Sequence, residues 1–230
     1  RPVKETTMNH PPPLRRRAAI GLTVGGLALV APACPPPVNP PVPCTPTVLS
    51  EGHVDGPGFA YEDDAWNIHV HDEEADVEYE PGCVVLAAPA ATEGTVPADP
   101  AFSFLGTAGD PIWVLPQGHV EGLLHLGYAT EEIESGAFEG DSVDWSLVDV
   151  DGPGEFVVYA VDGFGVPTVV FDSSAALPQT VSIPTGAHVH VNWAFTAPGT
   201  YHVDYSVAGT PTGGSPVPSG AVEFTYEVGA

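Results

Sequence analysis

Residues 187–201 read AHVHVNWAFTAPGTY, and their alternation decides the fold class. In an extended chain successive side chains point to opposite faces, so His188, His190 and Asn192 line one face and Val189, Val191 and Trp193 the other. One face suits a core and the other suits chemistry. Residues i and i+2 of a strand lie about 6–7 Å apart at their backbones, near enough for two imidazoles to lean onto one metal ion. Pro198-Gly199 predicts a turn, after which Tyr201, Val203, Tyr205 and Val207 alternate as a second strand, so the stretch reads as a hairpin.

A single His-x-His is compatible with an ordinary hairpin, since histidine is common on half-buried strands. A second pair changes the weighing. His69 and His71, in WNIHVHDEE, oppose Trp66, Ile68 and Val70 with the same alternation, and His53 in GHVD is a third candidate.

Outward from these strands the chain holds 26 Gly and 27 Pro in 230 residues. Short β-like runs recur at roughly 8–12-residue spacing, among them 65–70, 84–87, 112–115, 123–128, 142–150, 156–161, 168–171 and 221–228. The pattern predicts an all-β protein, an antiparallel immunoglobulin-like β-sandwich. Gly56-Pro57-Gly58 reads as a turn, Asp72–Glu80 as a solvated loop or edge, and Thr130–Glu134 as one helical turn. Phe102, Phe104 and Leu105 are expected in the core.

Before the domain lies a leader. Met8 is the only methionine; Arg15-Arg16-Arg17, an apolar run 18–30 and Ala31-Pro32-Ala33-Cys34 follow it. A basic segment, a short apolar segment and small residues before a cleavage point describe a secretory signal over residues 1–33. Cysteine directly after Ala-x-Ala suits a lipoprotein site, with plain signal cleavage as the alternative. Residues 34–47 form a Pro-rich, extended linker, and 48–230 a single surface domain. The remaining cysteines, Cys44 and Cys83, are expected to pair in an oxidising compartment, while a free Cys34 would leave an odd count.

All five cationic side chains lie at or before Arg17, and 29 of the 30 carboxylates follow Cys34. Such a surface repels nucleic acid and anionic lipid and stays soluble by self-repulsion. No G-x-S-x-G, no HExxH and no nucleophile–base pair is present, so the reading is not an enzyme. Trp66, Trp113, Trp145 and Trp193 alternate as core residues rather than as a carbohydrate platform.

GHVD at 52–55, VHDE at 70–73, DPAFSFLG at 99–106, WVLPQ at 113–117, LGYAT at 126–130, VDGPGEFVVY at 150–159, FGVPTVVFDS at 164–173 and HVHVNWAFTAPGTY at 188–201 occur in this order. Together they resemble the actinobacterial surface-anchored protein domain, the choice-of-anchor M domain. The resemblance implies an extracytoplasmic bacterial surface protein, often accompanying metal-type ABC transporters. It marks His53, Asp55, His71, Gln117, His188, His190 and Asn192, and leaves His69, His119 and His125 outside its pattern.

The expected site is His53, His71, His188 and His190 around one divalent transition metal. Neutral imidazoles suit zinc first, with copper or manganese as alternatives. Asp55 would ligate or orient a histidine, and Gln117 or Asn192 would act from behind the ligands. Partners would be a metal-type ABC transporter or its substrate-binding protein, and the membrane through a lipid on Cys34. The alternative is a non-catalytic adhesion or structural module without metal, its histidines bonded within the sandwich.

Overall fold

The computed structural model describes residues 44–230. The expected signal segment over 1–33, the expected lipidation site Cys34 and the rest of the expected linker up to residue 43 lie outside them.

In chain order the strands are β1 (Thr47–Leu49), β2 (Gly52–Glu62), β3 (Ala65–Asp72), β4 (Val77–Tyr79), β5 (Val84–Ala88), β6 (Glu93–Thr95), β7 (Pro111–Leu115), β8 (Leu124–Ala129) and β9 (Ser142–Asp151). They continue as β10 (Phe156–Val161), β11 (Pro167–Asp172), β12 (Gln179–Pro184), β13 (His188–His190), β14 (Asn192–Phe195), β15 (Gly199–Gly209), β16 (Val217–Pro218) and β17 (Val222–Val228). The protein is all-β. A large sheet has the order β1-β5-β17-β15-β9-β12, with β16 on β15; two five-stranded sheets run β11-β10-β14-β7-β6 and β13-β8-β2-β3-β4.

Pairing is mostly but not wholly antiparallel: β1 with β5, β5 with β17, and β2 with β8 are parallel. Strands far apart in the chain need no tight turn to lie parallel, and local alternation carries no record of such partners.

The core joins all three sheets. Trp145 of the large sheet meets Phe59, Tyr128 and Trp193 of the smaller ones, with ring centroids 6.0, 5.0 and 6.2 Å away. Phe156 packs on Tyr226 at 5.7 Å. Trp145 and Trp193 are fully buried and Trp113 nearly so, as their alternation requires. Phe102 and Phe104 pack around Tyr159 from a 3-10 turn, Pro100–Leu105, that Asp99 caps by accepting from the Ala101 N–H.

Three local expectations give way to tertiary structure. Gly56-Pro57 does not turn the chain but lies inside β2 as a bulge, where the pairing of β2 slips by one residue against both β3 and β8. Val54 and Phe59 are both core residues although five positions apart. Strict alternation would place them on opposite faces, so the extra residue is what keeps Phe59 inside. Likewise Pro198-Gly199 does not close a hairpin. Strand β14 pairs with β10 and β7, whereas β15 pairs with β17 and β9 in the large sheet, making the turn a corner between sheets. The Tyr201 hydroxyl donates back to the Ala197 carbonyl at 2.8 Å and fixes that corner. Residues 130–134 form turns rather than a helical turn, and β4 gives the acidic segment an edge strand.

Cys44 and Cys83 form a disulfide. It pins the start of β1 to the segment that leads into β5, where Thr47 pairs with Val84. Closing this loop of about 40 residues is worth roughly 4 kcal/mol in the chain-entropy account. Denaturant unfolding of the Cys44→Ala/Cys83→Ala protein is therefore expected to show a loss approaching that figure.

Candidate metal centre

Alternation along 187–195 places the histidines as read, and the fold then does something the alternation does not specify. β13 is the edge strand beside β8, with His188 opposite Ala129 and His190 opposite Gly127. At buried Val191 the chain leaves that sheet, and Asn192 begins β14 in the other small sheet. Buried Thr130 anchors the approach: its N–H donates to the Ala187 carbonyl at 2.7 Å, and its hydroxyl donates to the Pro184 carbonyl and accepts from the Ala187 N–H. Trp193 Nε1 donates to the Leu126 carbonyl at 3.1 Å, tying β14 to β8 beneath the site.

On the far side of β8, parallel β2 supplies His53 and Asp55, with Asp55 in register with Gly127. The three imidazoles converge tip-first. Nε2 of His53 lies 3.0 Å from Nε2 of His188 and 2.9 Å from that of His190, and the last two are 3.1 Å apart. The ring centroids are 4.7–5.0 Å apart, so the rings splay away from a common point. Asp55 Oδ1 stands 3.0 Å from His188 Nε2, yet no N–H is aimed at it and it makes no hydrogen bond. Asp55 is only 1% exposed.

Two observations set the protonation of this cluster. Nδ1 of His188 faces Glu131 Oε2 at 3.1 Å, which holds the proton on Nδ1 and leaves a lone pair on Nε2. This is the carboxylate–histidine arrangement that orients a metal-binding imidazole. Burial pushes His190 down to about 4, with repulsion from His125 and His53 adding to it. Burial, then repulsion from His188 and His125, lowers His53 as well. These two rings thus stay neutral, the form a metal requires. Burial raises Asp55 to about 6, with Glu73 and Glu131 adding and His188 opposing.

Three donor nitrogens and a buried carboxylate oxygen at about 3 Å match a tetrahedral ion, whose ligands at about 2.0–2.1 Å from the metal stand about 3.3 Å from each other. His53, Asp55, His188 and His190 are a set whose ligand atoms all lie within 4.8 Å of one another.

His71 is not in this set. It sits opposite Asp55 on β3, but its Nδ1 is 3.2 Å from Glu73 Oε1 and its Nε2 3.8 Å from Asp76 Oδ1. Asp55, on the strand between β3 and β8, takes the fourth position instead. Gln117 and Asn192 do not touch the three rings. They clamp each other: Asn192 Oδ1 accepts from the Gln117 N–H at 3.0 Å, Asn192 Nδ2 donates to Gln117 Oε1, and Gln117 Oε1 accepts from the Val161 N–H. Their link to the site runs through His125, whose Nε2 donates to the Gln117 carbonyl and whose ring stacks on His190 at 3.6 Å.

His125 is left outside the expected site, and Glu131, Thr130 and Gly127 are not read as part of it. Gly127 leaves room where a Cβ would stand 2.9 Å from Asp55 Oδ1 and 3.1 Å from the His190 ring. Gly127→Ala is expected to shift those two side chains and weaken zinc binding roughly 10–100-fold, as loss of a supporting contact does, while circular dichroism stays native. Compared with known proteins, the chain matches no family model, no curated protein and no solved structure.

Proposed function

We propose that this domain binds one divalent transition metal, zinc first, through His53, His188, His190 and Asp55. The observation that carries the reading is the triangle of three Nε2 atoms at 2.9–3.1 Å beside a buried, unbonded carboxylate oxygen. Neutral imidazoles so close repel when protonated and cannot all satisfy one another, whereas a cation accepts every lone pair at once. The metal would serve binding and not turnover.

The setting fits an extracytoplasmic role: a disulfide, a secretory leader and a surface carrying no Lys or Arg after Arg17. We extend the reading to a surface module of the choice-of-anchor M type, lipid-anchored through Cys34 and accessory to a metal-type ABC transporter. The Tyr201 hydroxyl bond to Ala197 supports an immunoglobulin-like sandwich, since such a tyrosine corner marks that architecture. Metal analysis and calorimetric zinc titration of tag-free protein test the core of the proposal. One tight equivalent of zinc is the expected result, and a metal-free protein that ignores added zinc would overturn it.

A further inference from the structure

Beside the triangle lies a pocket of about 130 Å³ walled by Asp55, His69, His71, Glu73, Glu131 and Glu132. We propose that this pocket holds a second divalent cation, of the oxygen-preferring class represented by Mn²⁺ and Ca²⁺, with Asp55, Glu73 and Glu131 as ligands and Asp55 shared with the zinc position. The inference rests on the zinc reading only for that sharing.

Ligand atoms of Asp55, Glu73, Glu131 and His188 all lie within 4.8 Å of one another. Asp55 and Glu73 are two carboxylates of that set, close enough for their charges to repel. Such a pair calls for a cation between them, and the described residues contain no Lys or Arg to supply one. Two walls of the pocket are polar side chains more than nine-tenths buried with an unbonded atom: Asp55, 1% exposed, at Oδ1, and His69, 3% exposed, at Nδ1. Buried polar groups are ordinarily satisfied, so an orphan in a pocket wall marks a missing partner.

The histidine walls steady the carboxylates. His71 Nδ1 stands 3.2 Å from one oxygen of Glu73 and His69 Nε2 3.2 Å from one of Glu132, close enough for charge pairing when the rings are protonated. A carboxylate-rich set favours a harder cation than three imidazoles do, so the two positions differ in selectivity.

The carboxylates of the large sheet, exposed Asp149, Asp151 and Glu223 with half-buried Asp204, are a built-in control, being acidic without a buried orphan. Tag-free protein is titrated with Zn²⁺ and then Mn²⁺, with bound metal counted by elemental analysis. The wild type should take one equivalent of each. Glu73→Gln should weaken Mn²⁺ at least tenfold and leave zinc unchanged, whereas His53→Ala/His190→Ala should lose zinc and keep Mn²⁺. Independently of any variant, Mn²⁺ should broaden the amide signals of Glu73 and Ala129 before those of Asp149 and Asp204. No Mn²⁺ beyond zinc in the wild type, equal Mn²⁺ binding by Glu73→Gln, or first broadening on the large sheet would overturn the second site. Mn²⁺ binding sensitive to Glu73→Gln without any zinc uptake would sink the zinc reading and leave the pocket standing.

Discussion

Replacing His188 and His190 together by alanine is expected to abolish stoichiometric zinc binding and the thermal stabilisation that accompanies it. The substitution removes two of the three nitrogens of the triangle and leaves His53 and Asp55, a two-ligand remnant. Loss of an outer partner alone typically costs roughly 10–100-fold in affinity, so loss of two direct ligands should exceed that range. Zinc at 100 times its dissociation constant should stabilise the wild type by about 2.7 kcal/mol. For a domain of this size that is roughly 5–10 °C in Tm. The double variant should show no zinc-dependent shift while keeping a native far-ultraviolet spectrum, because both rings are only part-buried and their strand is held by Thr130. His71→Ala should retain the shift at the triangle, since that ring faces Glu73 and Asp76. Equal losses from His71→Ala and from the double variant would mean a different ligand set.

The second large effect is on pH. Zinc affinity should fall as pH drops through 6, because Asp55, raised to about 6, then holds the proton that the metal must displace. One competing proton lowers the apparent affinity about tenfold per pH unit below that point. His190 joins only near pH 4, to which burial and its histidine neighbours push it. Asp55→Asn should accordingly bind zinc more weakly at pH 7 but with a shallower decline between pH 6 and 5. Calorimetric titrations at half-unit intervals check this; parallel slopes for the two proteins would refute the role of Asp55.

The metal-free fold should behave differently over the same window. Asp55 rises from an ordinary 3.8 to about 6, so the folded state holds more protons there, and its contribution to stability increases as pH falls from 6 toward 4. His190 falls from 6.5 to about 4, so the unfolded state holds more protons and stability is lost as pH falls through that range. The Asp55 contribution opposes that of His190, which His53, lowered by burial too, joins. Tm without zinc should thus change far less between pH 6 and 5 than Tm with zinc.

Much of this architecture was legible residue by residue. Alternation located the strands from 142 to 161 and from 222 to 228, and it put His188 and His190 on one face with Val191 and Trp193 on the other. Pairing of Cys44 with Cys83 is the expectation for an oxidising compartment, but three cysteines leave the arrangement open until the fold brings these two together. Errors gathered where a local signal has two structural meanings. Gly-Pro-Gly at 56–58 serves equally as a turn or as a bulge, because both accommodate glycine's backbone freedom and a residue that has no N–H to give a ladder. Pro198-Gly199 reverses the chain whether the next strand joins the same sheet or another.

The amino-acid order alone thus determined the all-β class, the faces of individual strands and which histidines share a face, since a period of two is written in neighbouring residues. Only the tertiary structure decided that β2 lies parallel to β8, that Asp55 and not His71 completes the triangle, and that Gly127 clears the space between them. Those facts depend on the register between strands some 70 residues apart, and register is set by how three sheets share one core.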